Sequence, residues 1–264
     1  MKPESPILLF DSGVGGLSIL PAVREALPGA PLIYAADFAG LPYGGKTEAE
    51  IAARVCGLLG RLSERYQPRL ICIACNTAST IALSMVRDVL ETPIVGTVPA
   101  IKPAAKLTRT GTFGILGTEA TIRQAYVDDL EREHAGGKTM LRHAAPDLVM
   151  LAEAKLRDEH ISVDAVANAC TGLSLQQGGR DIDVVVLACT HFPLLRGELQ
   201  EAFGKDVTLI DGAQGIARRI AALSDGQKFA SGRPDRMVMT GGATLPKPLV
   251  ETLKTYGLDQ IDRI

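Results

Sequence analysis

Short apolar runs alternate with longer amphipathic stretches along the whole chain. The runs are rich in Val, Ile and Leu and end at Gly, Pro or polar residues, a pattern typical of strands. They predict strands over residues 7–10, 32–36, 70–74, 94–96, 112–116, 140–143, 184–188, 207–210 and 237–239. The stretches between them have helical periodicity, as in residues 48–65, which Thr47 and Glu50 are placed to open as a capping box.

The order of these elements predicts the fold class. Strands that alternate with helices form parallel sheets, and a run such as 184–188, apolar at every position, belongs to a sheet covered on both faces. We therefore expect an α/β fold with largely parallel sheets flanked by helices.

A weak internal repeat divides the chain into two related halves. Residues 70–77 (LICIACNT) parallel residues 184–191 (VVVLACTH), and each is a strand that ends in Ala-Cys and is expected to run straight into a helix. A looser pair is the strand that leads to Asp11 and Ser12 and the strand that leads to Gly117 and Thr118. Ligands of open α/β sheets bind beyond the carboxyl ends of strands, so we expect a cleft between two facing halves to collect these groups.

The two repeated cysteines, Cys75 and Cys189, are candidates for proton transfer. A thiol at the start of a helix meets backbone N–H groups without partners and the positive end of the helix dipole, and both favour the thiolate. The alternative is that both are core residues, because cysteine is often buried. The matching sequence contexts of the two cysteines favour a catalytic role over a core role. The amides that follow, together with threonine hydroxyls, are also suited to bind a carboxylate; they belong to Asn76, Thr77, Thr190 and His191.

Composition excludes several classes of protein. The 264 residues carry 28 basic and 30 acidic side chains, a net charge of −2 that offers nucleic acid no overall attraction. No apolar stretch reaches the roughly 18 residues of a membrane span, and the N-terminus does not resemble a signal peptide. We expect a cytoplasmic protein with no membrane partner. Its five cysteines, an odd number, are expected to be free thiols.

Two further motifs suggest other ligands. Cys72 and Cys75 form a CxxC that could join Cys189 and His191 around zinc, but residues i and i+3 of a strand point to opposite faces, so we expect no metal. Residues 12–18 (SGVGGLS) resemble a dinucleotide fingerprint, with Asp37 about where a ribose-binding acid belongs. Against it, Ser18 replaces the third glycine, and Asp11 sits where a pyrophosphate would approach.

Five blocks in order carry a more specific resemblance: DSGVGGL at 11–17, LPYGGK at 41–46, ACNTAS at 74–79, GTEATI at 117–122 and ACTHFPLL at 188–195. On these blocks the chain resembles the cofactor-independent aspartate/glutamate racemase family, and within it the glutamate racemases. It departs from the usual pattern at residues 211–213 and at Ala188, neither of which is a proposed catalytic group.

The resemblance implies two α/β domains, residues 1–98 with 211–264 and residues 99–210, with the active site in the cleft between them. It implies interconversion of L- and D-glutamate without a cofactor, which supplies D-glutamate for peptidoglycan, in an enzyme that is commonly a homodimer. The alternatives are a racemase or isomerase of aspartate or another small acid, a nucleotide-dependent oxidoreductase, and a two-lobed binding protein for an acidic metabolite.

The resemblance also assigns roles. Cys75 is expected to deprotonate D-glutamate and Cys189 to deprotonate L-glutamate. From its position two residues after Cys189, His191 is expected to assist that thiol, with a purely structural histidine as the alternative. Asp11 is placed near Cys75 and the substrate ammonium, with a helix N-cap as the alternative; Glu153 occupies an acidic position near the second cysteine, with an exposed helix carboxylate as the alternative. The expected substrate-binding residues are Asp11, Ser12, Tyr43, Gly44, Cys75, Asn76, Thr77, Thr118, Thr121, Thr190 and His191.

Overall fold

A computed structural model describes residues 2–230, 234–242 and 244–264. The chain folds into two compact units. The first unit comprises Met1–Thr97 and Ala213–Ile264, and the second unit comprises Val98–Gly212.

Ten strands form in the described residues: β1 Ile7–Asp11, β2 Leu32–Ala36, β3 Leu70–Ile73, β4 Ile94–Gly96, β5 Thr112–Gly117, β6 Thr139–Ala144, β7 Val184–Ala188, β8 Thr208–Ile210, β9 Arg236–Met239 and β10 Gln260–Arg263. Eleven α-helices accompany them: α1 Leu20–Ala26, α2 Glu48–Tyr66, α3 Asn76–Val89, α4 Ile101–Leu107, α5 Glu119–Ile122, α6 Ala125–His134, α7 Asp147–Leu156, α8 Val163–Ser174, α9 Arg196–Phe203, α10 Ala213–Leu223 and α11 Lys247–Thr255. No helix in these ranges is long and apolar enough to cross a membrane.

Each unit contains one parallel sheet. The strand order is β10-β9-β2-β1-β3-β4 in the first unit and β6-β5-β7-β8 in the second. The order β2-β1-β3-β4 thus recurs as β6-β5-β7-β8, so that β3 and β7, which precede the two repeated cysteines, occupy equivalent places. The predicted α/β class with parallel sheets is confirmed, and so is the internal repeat.

The nine predicted strands are confirmed, each to within one residue at either end. Strands β1, β2, β3 and β7 are buried at every position, as continuous apolar runs predict. Strand β10 is absent from the predicted set. It lies at the edge of its sheet and includes Gln260, Asp262 and Arg263, so it lacks the apolar run that marks the others.

Helix α2 shows how local sequence sets the frame of the first unit. The Thr47 side chain accepts a hydrogen bond from the Glu50 amide, and the Glu50 carboxylate accepts one from the Thr47 amide, at 3.3 and 2.9 Å. The predicted capping box is therefore confirmed. The helix buries Ile51, Val55, Leu59 and Leu62, spaced three or four apart, in the same apolar cluster as strands β1 and β3.

Candidate active site

Cys75 lies where the first unit's sheet ends and helix α3 begins. It is the N-cap of α3, and its Sγ accepts a hydrogen bond from the Ala78 amide at 3.5 Å. The Ser12 hydroxyl lies 3.6 Å from the same sulfur, and both residues are buried. Cys75 therefore has the helix-start environment that the sequence predicts, with a hydroxyl beside it that can hydrogen-bond to the sulfur.

The turn before Cys75 is held by residues that sequence reasoning missed. The Thr97 hydroxyl lies 2.8 Å from the carbonyl oxygens of both Ile73 and Ala74, and the Thr97 amide donates to the Ser79 hydroxyl at 2.7 Å. These bonds tie the end of β4 to the turn between β3 and α3. The one local signal for them is that Thr97 directly follows a short apolar strand.

Asp11 ends strand β1, next to β3 in the sheet, and is fully buried. Its Oδ1 accepts a hydrogen bond from the Gly13 amide at 2.9 Å. The helical turn that follows is capped by Val14, so the N-cap alternative for Asp11 is wrong. Burial, together with the negative charge of Asp11, raises the pKa of the Cys72 thiol to about 12.

Tyr43 and Gly44 begin a short 3-10 turn, Tyr43–Gly45, that contacts helix α3. The Tyr43 ring is buried in the same apolar cluster as Cys75, whereas Gly44 is exposed. Amides at the start of a helical turn have no acceptor within it, and Pro42 supplies no side-chain cap. Asn76 and Thr77 begin α3, whose N-cap Cys75 accepts from the Ala78 amide. This edge of the first unit is therefore suited to bind an anion.

Cys189 follows β7 directly, as predicted, but it does not run straight into an α-helix. A 3-10 turn, Phe192–Leu195, comes first, and α9 begins only at Arg196. The Phe192 amide donates to the Cys189 carbonyl at 3.1 Å, and Pro193 in the turn has no N–H to donate. The expected helix N-terminus at Cys189 is therefore wrong.

His191 and Glu153 form a hydrogen-bonded pair beside Cys189. The Nδ1 atom of His191 lies 4.0 Å from Cys189 Sγ, and its Nε2 lies 2.9 Å from Glu153 Oε1. In the tautomer that donates from Nε2 to the carboxylate, Nδ1 presents its lone pair to the thiol. Glu153 is on α7 and is 9% exposed, so the alternative of an exposed helix carboxylate is wrong.

Two threonines lie at the carboxyl end of β5, beside β7 in the second unit's sheet. Thr118 is the N-cap of α5 and accepts a hydrogen bond from the Thr121 amide at 3.2 Å, and the two hydroxyls lie 3.0 Å apart. Thr121 and Thr190 are buried. The structure thus groups the predicted residues into one set around Cys75 and another around Cys189, each on its own sheet edge.

Asp37 does not fit the dinucleotide alternative. Its carboxylate accepts hydrogen bonds from the Tyr43 hydroxyl at 2.6 Å, the Thr240 hydroxyl at 2.5 Å and the Arg54 guanidinium. Both carboxylate oxygens are occupied, which leaves none for a ribose. Gly16 of the glycine motif serves packing, because an added Cβ would lie 2.9 Å from the Tyr34 hydroxyl and 3.1 Å from Asp11 Cβ.

The remaining cysteines differ in setting from the two candidates. Cys170 is buried in the apolar core of the second unit, and burial raises its pKa to about 12. Cys56 is half-buried on α2, and burial raises its pKa also. All five cysteines are free thiols. Across the described ranges, no three His, Cys, Asp or Glu side chains form a group that could hold a metal ion.

The sequence is similar to racemases along most of its length. The model of the Asp/Glu/hydantoin racemase family matches residues 17–220. A glutamate racemase of Sphingopyxis alaskensis is 60% identical over 263 residues, which covers 99% of this chain and 98% of the relative.

Solved structures agree in fold. Escherichia coli glutamate racemase, in complex with L-glutamate and the activator UDP-MurNAc-Ala, has a TM-score of 0.90 at 38% identity and covers 99% of this chain and 98% of its own. Glutamate racemase from Thermus thermophilus, in complex with β-chloro-D-alanine, has a TM-score of 0.79 at 30% identity, over 100% and 98% of the two chains. With its parallel sheets and these relatives, the chain belongs to the Asp/Glu/hydantoin racemase family.

Proposed function

We propose that this protein is a glutamate racemase that interconverts L- and D-glutamate without a cofactor, with Cys75 and Cys189 as its two bases. The observation that carries the proposal is that both thiols lie at the carboxyl ends of equivalent strands, β3 and β7, in sheets that share a four-strand order. The full-length similarity to glutamate racemases supports the choice of substrate.

The chemistry requires two groups. Inversion at the α-carbon needs one base to remove the α-proton and an acid on the other face to return one. Cys189 as thiolate removes the proton of L-glutamate while the Cys75 thiol delivers one, and the roles exchange for D-glutamate. Each L-to-D turnover leaves Cys189 as the thiol and Cys75 as the thiolate. Loss of the Cys189 proton to solvent and uptake of a solvent proton by Cys75 restore the starting form, so protons balance over the cycle.

The two thiols reach the thiolate by different means. Cys75 is supported by the start of α3 and by Ser12. Cys189 passes its proton to His191, whose positive charge is then stabilised by Glu153. Asp11 is assigned to the substrate ammonium because it is a buried carboxylate on the strand next to Cys75.

The α-proton is weakly acidic, so the developing negative charge needs fixed hydrogen-bond donors on the α-carboxylate. We assign this role, and the binding of the side-chain carboxylate, to amides and hydroxyls at the two sheet edges. They belong to Ser12, Tyr43, Gly44, Asn76, Thr77, Thr118, Thr121 and Thr190.

We further propose that residues 1–98 with 211–264 and residues 99–210 are the enzyme's two domains, a division that the two compact units support. From the family resemblance we propose a cytoplasmic homodimer that supplies D-glutamate for peptidoglycan. Sedimentation equilibrium of the purified protein tests the dimer, because a single species of one-chain mass at all concentrations would exclude it.

The proposed activity is tested by proton NMR of L-glutamate with the purified protein in D2O, without added cofactor, while polarimetry follows the rotation. Loss of the α-proton signal with decay of the rotation to zero is expected. If the α-proton of L-aspartate exchanges and that of L-glutamate does not, the protein is a racemase of this family with a different substrate, and glutamate is excluded. Exchange of neither would overturn the proposed function.

A further inference from the structure

A buried carboxylate that the proposed reaction does not use lies next to the Cys75 set. Strands β9, β2, β1 and β3 are neighbours in that order, and their carboxyl ends lead to Thr240, Asp37, Asp11 and Cys75. The Asp37 amide donates to the Asp11 carbonyl at 2.9 Å, and the Thr240 amide donates to the Ala36 carbonyl at 3.1 Å. Asp37 is fully buried. It therefore occupies the same sheet edge as the candidate catalytic groups.

Asp37 is held by three side chains from different parts of the chain. Tyr43 and Thr240 donate hydroxyl hydrogen bonds to it, and Arg54, on α2, donates from its guanidinium to both carboxylate oxygens. Burial opposes ionisation of Asp37, but the hydrogen bonds from Arg54, Thr240 and Tyr43 outweigh it, so the pKa of this carboxyl lies below its usual range. The group is a charged acceptor that holds each donor firmly.

The donors place one segment of chain. Tyr43 begins the 3-10 turn with Gly44, and the Ala39 amide donates to the Thr240 hydroxyl at 3.0 Å. Asp37 itself immediately precedes this segment, and Gly40 packs so closely that an added Cβ would lie 2.3 Å from the Asp37 carboxylate. Residues 38–45 are thus held at three points: by Asp37 immediately before them, by Ala39 through Thr240, and by Tyr43. Thr240 and Tyr43 both donate hydrogen bonds to the Asp37 carboxylate.

From this geometry we infer that Asp37, with Arg54 and Thr240, is a positioning centre that sets the Tyr43–Gly44 amides for substrate binding. The inference rests on the proposed function and deepens it. Asp37 does not touch the substrate; it acts through Tyr43. Of the two substrate carboxylates, we assign the side-chain carboxylate to the Tyr43–Gly44 amides, and its charge does not change during proton transfer. These amides therefore contribute equally to ground-state and transition-state binding, so losing their position raises KM and leaves kcat nearly unchanged.

The test uses Thr240→Val, which removes the hydroxyl and keeps the shape of the side chain. A matched control is Thr108→Val in the second unit. The Thr108 hydroxyl likewise donates to a buried carboxylate, Asp183, at 2.6 Å, and accepts from a backbone amide, Gly111, at 3.1 Å. Both variants are expected to lower Tm, but only Thr240→Val is expected to raise KM for both enantiomers, by about tenfold.

A second variant and a second readout separate positioning from general stability. Tyr43→Phe removes the other hydroxyl that Asp37 accepts, and the double variant with Thr240→Val should raise KM by less than the product of the single effects. Hydrogen exchange followed by mass spectrometry should show faster exchange of residues 38–46 in Thr240→Val and not in Thr108→Val.

Unchanged KM in Thr240→Val, or an equal KM increase in Thr108→Val, would overturn the inference. If the unaltered protein does not racemise glutamate, the proposed function fails by itself. The hydrogen-exchange rates then still test whether Asp37 positions this segment. Equal exchange of residues 38–46 in the unaltered protein, Thr240→Val and Thr108→Val would overturn the inference without any assay of turnover.

Discussion

His191 and Glu153 form a buried hydrogen-bonded pair, with Nε2 of the imidazole 2.9 Å from Oε1 of the carboxylate, and the imidazole's other nitrogen faces Cys189. The pair lies 38 positions apart in the chain and joins α7 to the turn after β7. In the proposed mechanism this arrangement supplies Cys189 with a proton acceptor whose positive form Glu153 stabilises, in place of the helix start that this thiol lacks.

Replacing Glu153 by Gln tests this pair. The substitution keeps the side-chain shape and removes the charge that stabilises the protonated imidazole, so kcat/KM should fall about 100-fold. The fall must be equal for L- and D-glutamate, because the enantiomers have the same free energy. Initial rates from both enantiomers measure it. Glu198→Gln is the control, since Glu198 is an acidic residue of the same unit that pairs with Lys155. Activity of Glu153→Gln within twofold of wild type would contradict the assigned role.

Alkylation should distinguish the candidate thiols from the core thiols. With a pKa of about 12, Cys72 and Cys170 are thiolates in only about one molecule in 10,000 at pH 8. They should stay unmodified by iodoacetamide in the folded protein and react once it is unfolded in urea. Peptide mass spectrometry measures the extent of modification at each cysteine. Saturating D-glutamate should slow modification of Cys75 and Cys189, and a lack of protection at both would contradict their place in the substrate site.

The close packing around Gly16 gives a prediction about stability. An alanine there brings Cβ to 2.9 Å from the Tyr34 hydroxyl, whose ring is buried and whose hydroxyl donates to the Gly13 carbonyl. Gly16→Ala should therefore destabilise the protein by about 1–3 kcal/mol and lower activity through Asp11. Gly57→Ala is the contrasting variant: nothing lies within 4 Å of its added Cβ on α2, and it should stabilise by up to about 1 kcal/mol. Urea unfolding measures both, and equal signs would contradict the packing argument.

Asp183 should make the second unit's stability depend on pH. Burial opposes ionisation of this carboxyl, but hydrogen bonds from the Thr108 hydroxyl and the amides of Arg109 and Thr110 outweigh it, so its pKa is lowered. A lowered pKa contributes stability above the unfolded value of about 3.9, and this stability is lost as the pH falls through the folded value.

Asp183→Asn can keep an oxygen for the two backbone N–H donors, but it replaces the oxygen that accepts from the Thr108 hydroxyl and removes the negative charge. Loss of these charge-assisted bonds should cost about 1–3 kcal/mol at pH 7. The difference from wild type should shrink as the pH falls below about 4. Asp181→Asn, an exposed neighbour, should change little at any pH. Urea unfolding between pH 7 and the acidic range measures the stability of both variants. A difference between Asp183→Asn and wild type that grows toward low pH would contradict the predicted sign.

Local sequence patterns were sufficient to predict the strands of each unit and the start of helix α2. Continuous apolar runs mark buried parallel strands, and the Thr47–Glu50 box marks a helix start, because both signals lie within a few residues. Cys75 at a strand end is readable for the same reason. Pro193 is a local signal for the short turn after Cys189, since proline in its second position removes a backbone donor.

The supporting contacts could not be read in this way. Asp37 meets Arg54 and Thr240 across 17 and 203 positions, and Thr97 reaches Ile73 across 24. No periodicity encodes such pairs, because parallel sheets bring distant strand ends together. Helix α7 is apolar on most of its surface, so its pattern does not reveal that Glu153 faces inward.

The two-base claim is tested most directly by where deuterium enters during the first few per cent of turnover in D2O, starting from pure L-glutamate. Two separate bases return a solvent-derived proton from the face opposite to removal. The D-glutamate formed is therefore expected to carry deuterium at Cα while the remaining L-glutamate keeps its proton. Early loss of the α-proton from the L-glutamate pool as fast as D-glutamate appears, or D-glutamate that keeps protium, would contradict the two-base claim.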